Sequence, residues 1–115
     1  MRLDVVMQGP IHERTYEYAQ YHLQHPLVSR VIISTWDGEP KLTEEKGLEV
    51  VYGPDVENPG QNNRNRQIVS TQRGIARSDA DIIVKARTDQ HIKHSSWGTM
   101  LNCSCFHYYI CIAPC

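Results

Sequence analysis

Cysteine is absent from residues 1–102 and then occurs four times in the last thirteen positions, at Cys103, Cys105, Cys111 and Cys115. A body without thiols excludes a disulfide-stapled scaffold or a cysteine-ligated metal centre there. The tail's Cys-x-Cys followed by two single cysteines lacks the paired Cys-x2-Cys knuckles of common zinc modules. Long apolar runs are also missing: none approaches the ~18 residues of a membrane span. The opening "MRLDVVMQGPI" has neither the apolar stretch nor the small-residue cleavage site of a secretory signal, so a cytoplasmic chain without a transmembrane segment is expected. There is no Gly-x-Gly-x-x-Gly or P-loop pattern. Acidic residues stop at Asp89.

With 115 residues, 40% hydrophobic and 22% charged, the chain suits one globular α/β domain. The net charge of −1 hides an asymmetry, because residues 1–60 hold 5 basic and 10 acidic side chains and residues 61–93 hold 7 and 3. Arg64, Arg66, Arg73 and Arg77 follow one another without an acidic residue until Asp79, a stretch that suits either a solvated helix face or an anionic ligand such as a diphosphate. No nucleic-acid partner is expected.

Periodicity alternates strand and helix over the first 93 residues. "LDVVMQ" is a β-branched run closed by Gly9-Pro10; "TYEYAQYHLQHP" places Tyr16, Ala19 and Leu23 at helical spacing and stops at Pro26. "RVIISTW" is a second strand closing at Asp37-Gly38, and "LEVVYGP" a third, with one helical turn expected in "EPKLTEEKG" between them. After the Pro- and Asn-rich "GPDVENPGQNN", a helix is expected from about Asn63 to Ser78, capped by the side chain of Asn62 or Asn63, with Ile68, Thr71, Ile75 and Ala76 on its inner stripe. Gly74 within it costs about 1 kcal/mol relative to Ala. "DIIVKA" is the fourth strand.

Short strands with near-continuous apolar centres, separated by helices, indicate a parallel sheet covered on both faces. Right-handed crossovers order it 3-2-1-4, with the reversal between strands 1 and 4. Ligands of such sheets bind outside the carboxyl ends of the strands at that reversal. Arg87 and Asp89 would then face Gln8 and Gly9 across a crevice.

"DVVMQGPI", "VIISTWDGE" and "NRNRQIVSTQRGIARSDADIIVKARTDQ" together resemble the opening half of the WavE-type lipopolysaccharide-synthesis family, glycosyltransferases of GT-A type, over about residues 3–92. The resemblance implies a nucleotide-sugar-binding half at residues 1–93, truncated before the acceptor site, followed by an irregular Cys-rich tail at 94–115. It implies that Gln8, Gly9 and Pro10 approach the base and ribose and that Asp37 makes a further contact there. Asn65, Arg66 and Gln67 match the family's helix start, where free N–H groups and the helix dipole favour a phosphate. Asp89 stands where GT-A enzymes carry the first carboxylate of a metal motif. Here Asp89-Gln90-His91 departs from that motif, leaving two ways to neutralise the departing diphosphate: Mg²⁺ or Mn²⁺ on Asp89 with His91 beside it, or Arg87. The implied partners are a nucleotide-sugar donor and a glycan or lipid-linked acceptor, at the cytoplasmic side of an inner membrane.

With no carboxylate after Asp89, the catalytic base that a GT-A second half would provide is missing, which reads as a fragment inactive alone. The alternative is a non-catalytic nucleotide-binding module. A response-regulator-like domain would need acidic residues at the end of strand 1, and Met7-Gln8-Gly9 has none.

Overall fold

A computed structural model describes residues 2–91 and the backbone of a strand at 110–112. The elements follow as β1 (Leu3–Gln8), α1 (Thr15–Leu23), β2 (Val28–Trp36), β3 (Leu48–Gly53), a single 3-10 turn (Gln61–Asn63), α2 (Arg64–Ala76), β4 (Ile82–Arg87) and β5 (Ile110–Ile112). All the strands pair in parallel in the order β3-β2-β1-β4-β5. The first four thus take the 3-2-1-4 arrangement that right-handed crossovers require. The backbone of Ile110–Ile112 pairs with β4, so β4 is not the sheet edge. The side chains of the cysteine-rich tail lie outside the described residues.

β1 is central, and every one of its residues is buried. Its odd positions Leu3, Val5 and Met7 join Val31, Ile33 and Val84 in the larger core, against which Tyr16, Tyr18 and Leu23 of α1 pack. Its even position Val6 joins Ile32 and Ile83 in a smaller cluster under Ile75 of α2. The two-residue period of the strands therefore assigns one helix to each face.

α2 meets the sheet through only part of the expected stripe: Ile75 packs on it, but the closest approach falls at other positions. Ile68 is 48% exposed, Ala76 is exposed, and Ser70 and Gly74 are the buried positions. The reason is close approach: a Cβ on Gly74 would stand 2.6 Å from Val6 Cγ1 and 3.1 Å from Ser34 Cβ. The glycine that weakens the helix locally is what lets it settle on β1 and β2. The seat is closed by Ser34 Oγ, which donates to the Ser70 carbonyl at 2.5 Å.

The expected helical turn between β2 and β3 does not form. Side chains hold this segment in a non-helical path: Tyr52 Oη accepts from Leu42 N–H at 2.9 Å and donates to the Pro40 carbonyl at 3.1 Å, and Glu44 Oε1 accepts from Val50 N–H at 3.1 Å. A turn bond from Leu48 N–H to the Glu45 carbonyl, with Gly47 at φ 85°, returns the chain to β3.

Candidate functional site

At the carboxyl end of the sheet Gln8 is flanked by Ser34 of β2 and Arg87 of β4. Beyond it the chain turns at Gly9, φ 137°, a conformation that side-chain-bearing residues rarely adopt. A Cβ there would also stand 2.7 Å from Thr88 Oγ1. Thr88, 1% exposed, welds the two strand ends together. Its N–H donates to the Gln8 carbonyl at 3.1 Å, its hydroxyl donates to the Pro10 carbonyl at 2.6 Å, and its own carbonyl accepts from Thr15 Oγ1 at 3.0 Å. Pro10 enters the site through this carbonyl, as part of the weld.

The entry to α2 forms the opposite wall. Asn62 and Asn63 both sit in the left-handed region, φ 55° and 59°, and neither side chain caps the helix as expected. Loop carbonyls do so instead: Asn63 N–H donates to Gly60, and the N–H groups of Asn65 and Arg66 both donate to Pro59. The donors expected to be free for a phosphate are thus satisfied within the loop, and two consecutive left-handed residues are the conformational cost of that arrangement.

Arg66 is equally committed. Its Nε and Nη2 donate to Asp55 Oδ1 and Oδ2 at 2.9 and 2.8 Å, its Nη1 donates to Asn63 Oδ1 at 3.3 Å, and its guanidinium lies 4.9 Å over the Trp36 ring. Hydrogen bonding from Arg66 holds the Asp55 carboxyl below its ordinary value. Asn65 donates to the Asn58 carbonyl at 3.1 Å. Arg66 and Asn65 therefore staple the 54–63 loop to the sheet, while Gln67, donating to the Asn62 carbonyl at 3.2 Å, lies on the cleft.

Between the two walls opens a cleft of about 440 Å³ lined by Gln8, Gly9, Asn62, Asn63, Gln67 and Arg87. Four amide side chains can each donate and accept, and Arg87 contributes the charge among these described residues. Such a lining suits a polar, anionic molecule. Asp37, whose N–H donates to the Gly53 carbonyl, is exposed at the end of β2 and does not line the cleft. Asn62 and Asn63, considered from sequence only as caps, are the lining residues that sequence reasoning passed over; the Asn-Asn pair after Pro59-Gly60 was the available signal.

Asp89 receives Arg87 in both its oxygens, Nε to Oδ1 at 3.0 Å and Nη2 to Oδ2 at 2.8 Å. His91 turns to the α1 side, where it stacks on Tyr18 at 5.0 Å and meets Tyr21 edge-on at 4.9 Å. Among the described residues no three His, Cys, Asp or Glu side chains are grouped to hold a metal ion. A lone carboxylate already engaged by a guanidinium, with the imidazole stacked elsewhere, does not fit Mg²⁺ or Mn²⁺ in this arrangement. No helix among the described residues is long and apolar enough to cross a membrane.

No curated protein and no solved structure matches the chain. The family described as WavE lipopolysaccharide synthesis matches residues 3–102, which spans every element that builds the cleft. The chain belongs to the WavE lipopolysaccharide synthesis family.

Proposed function

We propose that this chain provides the donor site of a GT-A-like glycosyltransferase acting in lipopolysaccharide or related surface-glycan synthesis, and that the cleft at the β1–β4 reversal takes a nucleotide sugar. One observation carries the reading: the 440 Å³ cleft lies at the carboxyl ends of the two strands where the sheet order reverses, and it is lined by four amides and one guanidinium. The amides of Gln8, Asn62, Asn63 and Gln67 suit base edges and sugar hydroxyls, and Arg87 suits the diphosphate.

In the transfer, an acceptor hydroxyl oxygen bonds to the anomeric carbon as the bond from that carbon to the diphosphate oxygen breaks. The electron pair leaves with the nucleoside diphosphate, and the hydroxyl proton passes to a base. Arg87 opposes the negative charge that develops on the leaving group. The acceptor is a glycan or a lipid-linked glycan at the cytoplasmic face of the inner membrane, where the donor is at hand.

A second reading is nucleotide binding without transfer by this chain alone. It is favoured by the absence of any carboxylate among the described residues lining the cleft. Thermal unfolding against a panel of nucleoside diphosphates tests what both readings share, since a ligand at 100 times its dissociation constant adds ~2.7 kcal/mol to the folded state. One nucleotide is expected to raise the midpoint in the wild-type chain and to raise it by less in Arg87→Ala. A cooperative transition that no nucleotide moves would remove the donor-site reading. Release of free sugar or of glycosylated acceptor from the matching nucleotide sugar separates transfer from binding.

A further inference from the structure

We infer that Asp89 is a positioning residue for Arg87, and that the guanidinium it holds stands in place of a divalent cation at the diphosphate position. The inference rests on the donor-site reading above and adds how that site handles charge.

The geometry that argues for it is the two-pronged pair. Arg87 is the last residue of β4, beside Gln8, and lines the cleft. Its Nε and Nη2 are both directed onto Asp89, two residues on. Among the described residues Nη1 makes no hydrogen bond, so one edge of the guanidinium is fixed and its remaining N–H groups are left for a ligand. A planar fork held at two points loses little freedom when an anion adds at the third, which is the advantage of a pre-set arginine over a free one.

The same pair tells against a cation on Asp89. Both carboxylate oxygens accept from Arg87 here, so a Mg²⁺ or Mn²⁺ ion on them would be set against the guanidinium charge alongside. The alternative imidazole lies on the α1 side, where His91 stacks on Tyr18 and meets Tyr21 edge-on. Arg87 and a divalent cation therefore compete for this carboxylate. The side chains are 56% and 35% exposed, so the pair is open to solvent and its role is geometric rather than one of holding the fold.

Isothermal titration of the full chain with the nucleoside diphosphate that shifts its unfolding, and with inorganic pyrophosphate, once in EDTA and once in Mn²⁺, tests this. The wild-type dissociation constants are expected to agree within about twofold between the two buffers, because a charge-assisted contact to Arg87 and not an ion carries the diphosphate. Arg87→Ala is expected to weaken binding in EDTA by roughly tenfold to a hundredfold, the range of one such contact. Mn²⁺ should restore part of it, since Asp89 is then free. Asp89→Asn is expected to weaken binding several-fold and equally in both buffers, and Mn²⁺ paramagnetic resonance should show no bound ion in the wild-type chain.

Wild-type binding that disappears in EDTA and returns with Mn²⁺, or a Mn²⁺ signal lost in Asp89→Asn, would overturn the inference and leave the donor site standing. Absence of binding in either buffer would overturn both.

Discussion

The two ends of the sheet, on the face covered by α2, treat charge in opposite ways. At the amino end Asp4, fully buried, accepts from Ser78 Oγ at 2.6 Å and from Arg30 Nη2 at 3.4 Å. Arg30 also reaches Glu49 Oε2 at 3.3 Å and the Arg77 carbonyl at 2.7 Å, and Arg77 pairs with Glu49 in turn. Opposite charges there close on one another across β1, β2, β3 and the end of α2. At the carboxyl end the cleft's lining has one cation among the described residues, and the pair it makes with Asp89 is open to solvent. The same strands thus end in an ion-pair network on one side and a polar cleft on the other. Charge at the amino end serves the fold, and on the proposed reading charge at the carboxyl end serves a ligand.

The sharpest way to break this contrast is Arg30→Met. Removing the cation leaves the buried Asp4 carboxylate without its charged partner, and about 3–5 kcal/mol of stability is expected to go, as for other broken buried pairs. Urea unfolding measures it. The nucleotide-induced increment in the remaining folded protein should be unchanged, and its loss would show that the two ends do not divide the work.

A smaller effect, of the opposite kind, is expected at Gly9. Gly9→Ala places a methyl 2.7 Å from Thr88 Oγ1 on a backbone at φ 137°. Relieving that contact means shifting the weld between β1 and β4, at a cost of about 1–3 kcal/mol. Because the weld also sets the separation of Gln8 and Arg87, the nucleotide-induced shift in melting temperature should fall along with stability. A variant that loses stability and keeps the full shift would place Gly9 with the fold and not with the site.

These same residues mark how far the chain could be read in advance. The strands, their order and the end of the sheet that bears the cleft were legible, because apolar runs bounded by Gly, Pro and Asp have few other solutions in a parallel sheet. The face of α2 was legible only at Ile75. Hydrophobic periodicity points to where apolar side chains recur, whereas this helix comes so close to Val6 and Ser34 that Ser70 and Gly74 face the sheet and Ile68 is left outside. Nor was the clamp of Arg66 on Asp55 legible, since the two are eleven residues apart across a loop whose path depends on two left-handed asparagines. The Arg-rich run suited either a solvated helix face or an anionic-ligand surface, and it divides by position instead: Arg77 serves the amino-end network, Arg66 the loop, and Arg73 donates to the carbonyls of Thr35 and Pro54.

The smallest expected effect concerns that clamp and falls between the two ends. Asp55 is held below its ordinary value of 3.8 chiefly by hydrogen bonds from Arg66. A carboxylate whose folded value is depressed contributes stability that is fully present above the unfolded value and is lost as pH falls through the folded one. The wild-type chain should therefore lose loop anchorage below about pH 4, the ordinary carboxylate value. Asp55→Asn should lack that component, so melting temperatures of the two proteins, compared at falling pH, are expected to differ at neutral pH and to converge in acid. The readout is local as well, because releasing Arg66 from Asp55 frees the guanidinium that covers Trp36, and the fluorescence component lost in Trp36→Phe should follow the same pH course. Parallel curves with a constant offset would mean that the Asp55 pair does not anchor the 54–63 loop, which its bonds from Asn65 and Arg73 and the backbone bonds to Pro59 then hold.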